Sequence, residues 1–203
     1  MPDLFVVFEG IDGSGKSTQV RMLHSALLSR LDGQVEVCRD PGGTLLGESV
    51  RKILLGGDSR IGPAAEALLY AACRAQLVDE LIRPALKQGK VVICDRFSDS
   101  AFAYQGFGRG LSFEFLERLD ELATGGLKPD LTVLLDLPSG LVSARLAKKA
   151  DRIEKEGPAF FERVRKGYLF LAEKGGSRYL VLDARLPAAE LHQRILRRVE
   201  SLL

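Results

Sequence analysis

A glycine-rich segment near the start of the chain constrains the fold more than any other feature. Residues 10–17 read Gly-Ile-Asp-Gly-Ser-Gly-Lys-Ser and match the pattern G-x-x-x-x-G-K-[ST]. The apolar run Leu4–Phe8 before this segment predicts a buried strand, and helical periodicity from Lys16 to about Arg30 follows it. In that context the glycines let backbone N–H groups turn inward around an anion, at the positive end of a helix dipole. The chain is therefore expected to bind the phosphates of a nucleoside triphosphate.

Three side chains of this loop have distinct chemistry. Lys16 can reach the β- and γ-phosphates, and the Ser17 hydroxyl can bind Mg²⁺. Asp12 is unusual for phosphate contact alone, because like charges repel. The nucleotide-binding residues that the loop predicts are Gly10, Ile11, Asp12, Gly13, Ser14, Gly15, Lys16, Ser17 and Thr18.

The rest of the chain alternates short apolar runs with helical patterns. Runs at 35–38, 91–94, 131–135 and 179–182 predict four more strands. Helices are expected near 45–55, over 64–88 with a kink or break at Pro84, and from Ala188 onward. Apolar strands separated by helices predict a five-stranded parallel sheet in a three-layer α/β/α fold. Residues 1–203 are assigned to one domain, in which the charged segment Lys148–Gly157 is a candidate flap.

Composition excludes several classes of protein. Among 203 residues, 29 Lys and Arg oppose 27 Asp and Glu, and a net charge of +2 does not fit a whole-surface nucleic-acid or membrane binder. No apolar run approaches the ~18 residues of a membrane span, and the first residues lack the features of a signal peptide. Cys38, Cys73 and Cys94 lie in apolar segments without metal-ligand spacing, as expected of buried reduced thiols in a cytoplasmic protein.

Small-molecule phosphoryl transfer is the main use of a triphosphate that the sequence leaves open. The chain lacks the Asn-Lys-x-Asp motif of GTPase switches and the Leu-Ser-Gly-Gly segment of transporters, and it is short for a motor or helicase. Where the third strand ends, Arg96 can fork onto phosphate oxygens and Asp95 can hold Mg²⁺ through water. The alternative is an ion pair at the end of the strand.

Two further patterns are ambiguous on their own. Tyr70 and Arg74 are four residues apart and share a helix face, so they suit a planar heterocycle that stacks on the ring and accepts from the guanidinium. Packing plus a solvated charge is the commoner explanation for such a pair. Gly106, Gly108 and Gly110 predict a flexible turn.

Four segments together resemble the thymidylate kinase family, and the resemblance covers nearly the whole chain. A fifth, Asp151–Glu154, resembles the end of that family's lid. The four segments are Phe8–Thr18; Asp40–Thr44 with Gly47, Glu48 and Arg51; Leu69–Gln76; and Asp95–Ser100 with Ala103–Gly106 and Arg109.

The resemblance implies transfer of the γ-phosphoryl group of ATP to dTMP, with Mg²⁺, a short lid at about 145–157 and a homodimer. Asp12 would accept from the sugar 3′-hydroxyl, Tyr70 would stack on thymine, and Arg74 would donate to its O4. Tyr104 would disfavour ribonucleotides by crowding the sugar 2′ position. The substrate-binding residues implied in this way are Asp12, Pro41, Arg51, Tyr70, Arg74, Arg96, Ser100, Tyr104 and Gln105.

The catalytic groups implied by the resemblance are Lys16, Asp12 and Arg96 with a cation from the lid. Some members of the family carry an arginine where Gly13 stands, so here the lid has to supply that charge. The implied lid cations are Arg152 first and Lys149 second, while Arg145 would contact ATP.

This sequence also departs from the family pattern. Asp40 stands where glutamate is usual, Ala101 and Phe102 stand where polar side chains commonly contact thymine, and the lid is about two residues shorter. These departures concern base recognition rather than phosphate chemistry. Another deoxynucleotide or nucleoside kinase therefore remains an alternative, and a non-catalytic ATP-binding regulatory protein is a more distant one.

Overall fold

Five parallel strands form a single sheet. The computed structural model describes residues 3–56, 60–145 and 151–203. The strands are β1 (Leu4–Glu9), β2 (Val35–Arg39), β3 (Val91–Asp95), β4 (Leu131–Asp136) and β5 (Tyr179–Asp183). Their order across the sheet is β2-β3-β1-β4-β5, with every neighbouring pair parallel. The predicted five-stranded parallel α/β fold is therefore confirmed.

Helices cover both faces of this sheet. They are α1 (Lys16–Leu28), α2 (Leu45–Leu55), α3 (Pro63–Leu77), α4 (Arg83–Lys87), α5 (Ser98–Ala101), α6 (Phe113–Thr124), α7 (Val142–Arg145), α8 (Pro158–Gly175) and α9 (Ala188–Glu200). Two π-helical segments, Val78–Ile82 and Phe102–Gly108, connect some of these helices, and short 3₁₀ turns lie at Ser139–Leu141 and Gly176–Arg178.

The alternation of side chains along β1 divides the core in two. Leu4, Val6 and Phe8 belong to the cluster that includes the buried sides of α1 and α9. Phe5 and Val7 point the other way and pack with the buried residues of α3, α4 and the π segment between them. Because both faces of the central strand β1 pack against apolar residues, the strand is held in the middle of the core. The glycine loop therefore begins at the carboxyl edge of the sheet.

Short polar side chains set the start of two helices. Thr44 Oγ1 accepts a hydrogen bond from Gly47 N at 2.9 Å and so caps α2. Ser112 Oγ accepts from Phe115 N at 3.3 Å and caps α6, which ends at Gly125 in the left-handed conformation (φ 56°). The sequence patterns used above did not predict α6.

Of the predicted kink or break at Pro84, the structure excludes the break. The helix continues from α3 through the π segment into α4, and Arg83 N donates to Val78 O across the wider turn. Proline has no N–H and its ring clashes with an ordinary preceding turn. The wider π turn accommodates that ring without ending the helix.

The prediction of a flexible turn at the three glycines is wrong for most of that segment. Residues 102–108 are π-helical, and Gly106 and Gly108 are buried. A Cβ on Gly108 would lie 2.7 Å from the Phe160 ring on α8. Here glycine permits close packing of two helical segments rather than flexibility.

The described part of the predicted lid lies against the body of the protein. Residues 151–156 form a turn in which Asp151 Oδ1 accepts from the N–H groups of Ile153 and Glu154, both at 2.8 Å. The Ile153 side chain is buried in the core. Lys148 and Lys149 lie outside the described residues.

The remaining predictions about the chain as a whole concern its cysteines and its relation to membranes. Cys38, Cys73 and Cys94 are buried and form no disulfide, as expected of reduced thiols. Within the three described ranges, no helix is long and apolar enough to cross a membrane.

Candidate active site

The glycine-rich loop joins the carboxyl end of β1 to the amino end of α1. Gly10, Gly13 and Gly15 all adopt positive φ, at 137°, 77° and 97°. A side chain on Gly10 would approach Leu135 O to 2.5 Å, so glycine is required there for space as well as for backbone conformation. The loop thereby leads into the positive end of a 13-residue helix, which favours an anion.

Lys16, the first residue of α1, folds back over the loop. Its Nζ donates to Gly10 O and Ile11 O, each at 3.0 Å. Burial, with the neighbouring charge of Arg96, lowers the pKa of Lys16 to about 8. A cation held in this way is poorly compensated, and a triphosphate would supply the missing negative charge.

Two oxygen-bearing side chains lie together at the floor of the loop. Ser17 Oγ donates to Asp95 Oδ2 at 2.8 Å, so the hydroxyl of α1 meets the carboxylate at the end of β3. Hydroxyl and carboxylate oxygens are the ligands that Mg²⁺ prefers. Both predicted metal-binding residues therefore fit a magnesium ion, which would supply positive charge beside a bound triphosphate.

Arg96 is the centre of the polar network and one of two described non-glycine residues with positive φ, at 73°. Its Nη1 donates to Gly10 O at 2.9 Å, and its Nη2 donates to Asp12 Oδ1 at 2.5 Å. Tyr104 OH donates to the other oxygen of Asp12 at 2.8 Å. A bulky residue in this backbone conformation indicates a position kept for function.

Asp12 is ionised within this network. Burial raises its pKa, but the charges of Arg96 and Lys16 and the hydrogen bond from Tyr104 together bring the pKa below its ordinary value. The carboxylate is therefore an acceptor for a hydroxyl group at physiological pH.

A cavity beside the loop collects all nine of the predicted acceptor-binding residues. The predicted residues that line it are Asp12, Pro41, Arg51, Tyr70, Arg74, Arg96, Ser100, Tyr104 and Gln105; Asp40, Leu55, Ala101, Asp151 and Ile153 also line it. A ring and a guanidinium from α3, which alone were ambiguous, therefore face one pocket.

Arg74 is almost fully buried, so it is not a solvated surface charge. Its Nε donates to Asp40 Oδ2 at 2.7 Å, and its Nη1 and Nη2 donate to Asp120 Oδ1 and Phe97 O, both at 3.2 Å. These bonds use three of the five guanidinium N–H groups, which leaves two for a ligand. Asp40, the residue shorter than the family's usual glutamate, thus orients the predicted base-reading arginine.

Glu9 is a buried acid to which the sequence motifs assign no role. Its Oε1 accepts from Phe97 N at 2.8 Å, and its Oε2 accepts from Ser100 Oγ at 2.7 Å and from Tyr168 OH at 2.9 Å. Both hydroxyls also bond Arg96 Nη1. Glu9 therefore holds in place the groups that hold Arg96, and the contact with Tyr168 on α8 had no local sequence signal.

The pKa of Glu9 gives a testable pH dependence. Burial, and then the charge of Asp99, raise this pKa from 4.5 to about 7. When the pKa of a carboxyl group is higher in the folded state than in the unfolded state, the free energy of unfolding falls as pH rises from the lower pKa to the higher one. The loss is about 1 kcal/mol per pH unit. We expect Glu9→Gln to lack this loss, so that its melting temperature falls less than that of the native chain between about pH 5 and pH 7.

Calorimetry or dye-monitored melting at pH steps measures this difference. The matched control is Glu173→Gln, an exposed glutamate on α8, which should follow the native curve. Parallel curves for Glu9→Gln and the native chain would contradict the raised pKa.

Two cavities share one wall. The second cavity surrounds the glycine loop and is lined by Asp12, Gly13, Gly15, Lys16, Ser17, Thr18, Arg39, Asp40, Arg51, Asp95, Arg96, Arg145 and Glu154. Four of these residues, Asp12, Asp40, Arg51 and Arg96, also line the acceptor cavity. Arg39 and Glu154 were not predicted for this cavity.

The structure does not bring Arg152 to the loop cavity, which argues against its predicted catalytic role. Arg152 lines neither cavity. Its Nε donates to Leu54 O at 2.8 Å, and its Nη2 lies 2.6 Å from Glu66 Oε2. A buried acid on α3 thus holds this guanidinium away from the loop. Arg145 does line the loop cavity and donates to Ala184 O at 3.0 Å.

A glycine loop with a buried lysine, a hydroxyl–carboxylate pair and an adjoining pocket rich in arginine defines a phosphate-loop kinase with its acceptor site beside the nucleotide site. The sequence matches the family model described as Thymidylate kinase over residues 8–195. The chain belongs to the thymidylate kinase family.

Individual relatives agree with this assignment. The thymidylate kinase of Desulforudis audaxviator is 53% identical over 205 residues, which cover 100% of this chain and 93% of that protein. The thymidylate kinase of Pelotomaculum thermopropionicum is 47% identical over 207 residues, which cover 100% and 95%. The crystal structure of thymidylate kinase from Ehrlichia chaffeensis matches with a TM-score of 0.83 and 32% identity, covering 98% of this chain and 100% of that one.

Proposed function

We propose that dTMP occupies the cavity at Tyr70 and Arg74, that the phosphates of ATP occupy the loop cavity, and that the phosphoryl group crosses the wall between them. The chain phosphorylates dTMP with ATP, giving dTDP and ADP, as its membership of the family shows. The observation that carries the site assignment is the shared wall, because two phosphate-bearing substrates must meet at one place.

On the ATP side, the loop N–H groups and Lys16 bind the phosphates. The phosphate oxygens would replace Gly10 O and Ile11 O as the partners of the Lys16 ammonium group. Ser17 and Asp95 would hold Mg²⁺, which when bound neutralises charge on the β- and γ-phosphate oxygens. Arg145 would provide a further cation at the same cavity.

On the dTMP side, the cavity offers partners for the base, the sugar and the phosphate. Tyr70 provides a ring for the thymine to stack on, and Arg74 keeps two N–H donors for a carbonyl oxygen. Asp12 would accept from the sugar 3′-hydroxyl, and Arg51 would hold the acceptor phosphate. Tyr104, whose hydroxyl bonds Asp12, would leave no room for a 2′-hydroxyl and so favour a deoxyribose.

The transfer step depends mainly on position and charge. Phosphoryl transfer passes through a loose transition state whose charge is spread over the moving group. Arg96 lines both cavities and can follow that charge from donor to acceptor. A direct role for Arg152 would require its ion pair with Glu66 to open.

We also propose a cytoplasmic location and a homodimer. The buried free thiols support the first. Three exposed leucines support the second: Leu45 on α2, Leu68 on α3 and Leu122 on α6 belong to helices that adjoin one another, since α3 packs against both α2 and α6.

A panel of phosphoryl acceptors tests the proposed function. With ATP, we expect dTMP to give the highest kcat/KM, and dUMP, which lacks one methyl group, to be weaker by about 10-fold or more. The ribonucleotide of thymine should also be poor. A nucleoside that surpasses dTMP as acceptor would favour the alternative of a nucleoside kinase instead.

A further inference from the structure

Glu66 is a fully buried acid with no part in the mechanism described so far. It lies on α3, one turn before Tyr70, and its side chain is 1% exposed. An unpaired carboxylate at this depth would be costly. Its partners come from two separate parts of the chain: the π segment at 102–108 with Arg109 directly after it, and the segment 151–156.

The first partner is the side chain of Gln105. Its Nε2 donates to Glu66 Oε1 at 2.8 Å. A carboxylate can only accept hydrogen bonds, so the NH₂ end of this amide must face Glu66 and its oxygen must face away. Gln105 lines the acceptor cavity, and within the described part of the chain its Oε1 accepts no hydrogen bond. The amide therefore offers the cavity an acceptor rather than a donor.

The other partners are two arginines. Arg109 Nε donates to Glu66 Oε1 at 3.3 Å, and Arg152 Nη2 forms an ion pair with Oε2 at 2.6 Å. Arg109 also pairs with Glu156, so the cluster holds two cations and two anions. Arg152 and Glu156 belong to the segment 151–156, whose Ile153 lines the acceptor cavity. The Glu66 carboxylate therefore contacts two parts of the chain that line this cavity, Gln105 and the segment 151–156.

We propose that Glu66 is a positioning residue that sets base selectivity: it turns the amide oxygen of Gln105 toward the acceptor cavity and, through Arg152, holds the segment 151–156, whose Ile153 lines that cavity. This inference rests on the proposed function. Thymine carries an N–H at ring position 3, which an amide oxygen accepts. Cytosine carries a lone pair there, so two acceptors would oppose each other and dCMP would be rejected.

Replacement of Glu66 by glutamine tests this role. A glutamine can present either end of its own amide, so the amide of Gln105 is free to turn over. We measure dissociation constants for dTMP and dCMP by calorimetry and take their ratio. In Glu66→Gln we expect this selectivity ratio to fall at least ~10-fold, the worth of one well-placed hydrogen bond. The exposed Glu173→Gln should keep the native ratio.

Arg152→Met separates positioning from a general disturbance of the cluster. It removes one ion pair and leaves the bond between Glu66 and Gln105. We expect weaker dTMP binding with an unchanged selectivity ratio. If Glu66→Gln folds and keeps the native ratio, or if both variants lose selectivity alike, the positioning role is overturned. Failure of the proposed function is distinguishable, because then the native chain would not phosphorylate dTMP at all.

If Glu66→Gln does not fold, the native chain decides. In its Gln105 side-chain amide, identified by NMR as the pair of signals missing from Gln105→Met, one proton should exchange slowly with and without dTMP, because one N–H donates to Glu66 in both states. Rapid exchange of both protons in the free chain would overturn the proposed orientation.

Discussion

Replacing Arg96 by alanine lowers the turnover of dTMP at least ~10²-fold while the fold stays intact, by analogy with loss of a cation from a phosphoryl-transfer transition state. The guanidinium bonds Gly10 O, Asp12 and three hydroxyls, so its position is fixed before substrates arrive. Such a preset charge needs no rearrangement as the transition state forms.

Steady-state kinetics with saturating ATP measure this loss, and circular dichroism checks the fold. Arg194→Ala is the matched control, since Arg194 is an exposed residue of α9 paired only with Glu190 among the described residues. Arg96→Lys should remain well below native activity, because an ammonium cannot reproduce the forked contacts. Near-native turnover of Arg96→Ala would show that the Arg96 guanidinium has no role in phosphoryl transfer and serves only to stabilise the fold.

Lys16→Ala should be comparably severe, but on the ATP side alone. Lys16 is the buried cation of the loop, and the anion that we propose to compensate its charge is the triphosphate. Loss of such a group costs at least ~10²-fold in kcat/KM for ATP. Binding of dTMP should change little, since Lys16 lines the loop cavity and not the acceptor cavity.

Two binding measurements, one for each substrate, separate this outcome from unfolding. Lys166→Ala, an exposed lysine on α8, should behave as the native chain does. A Lys16→Ala variant that lost dTMP affinity and ATP affinity equally would contradict the division of the site into two cavities.

The strands and the phosphate loop follow from local pattern, and the structure agrees with the sequence on both. The five apolar runs became β1 to β5, because each is buried in a parallel sheet and carries the periodicity that burial requires. The roles of the loop residues are likewise local, since one turn of backbone brings Lys16 and Ser17 to the same anion site.

The rest of the site depends on contacts between distant parts of the chain. Gly108 indicates flexibility in isolation, and only the Phe160 ring on α8 shows that it serves close packing. Arg152 is an obvious candidate cation in the lid, yet its position is decided by a buried acid on α3. No pattern of spacing within either segment encodes that pairing, so the sequence could not assign it.

The central claim is that ATP and dTMP meet at the wall shared by the two cavities. The direct test is dTMP-dependent release of ADP by the purified native chain with ATP and Mg²⁺. The account predicts that ADP forms when dTMP is present, that dTDP forms in equal amount, and that ATP alone gives only slow background hydrolysis. Equal ADP release with and without dTMP, or none in either case, would contradict it.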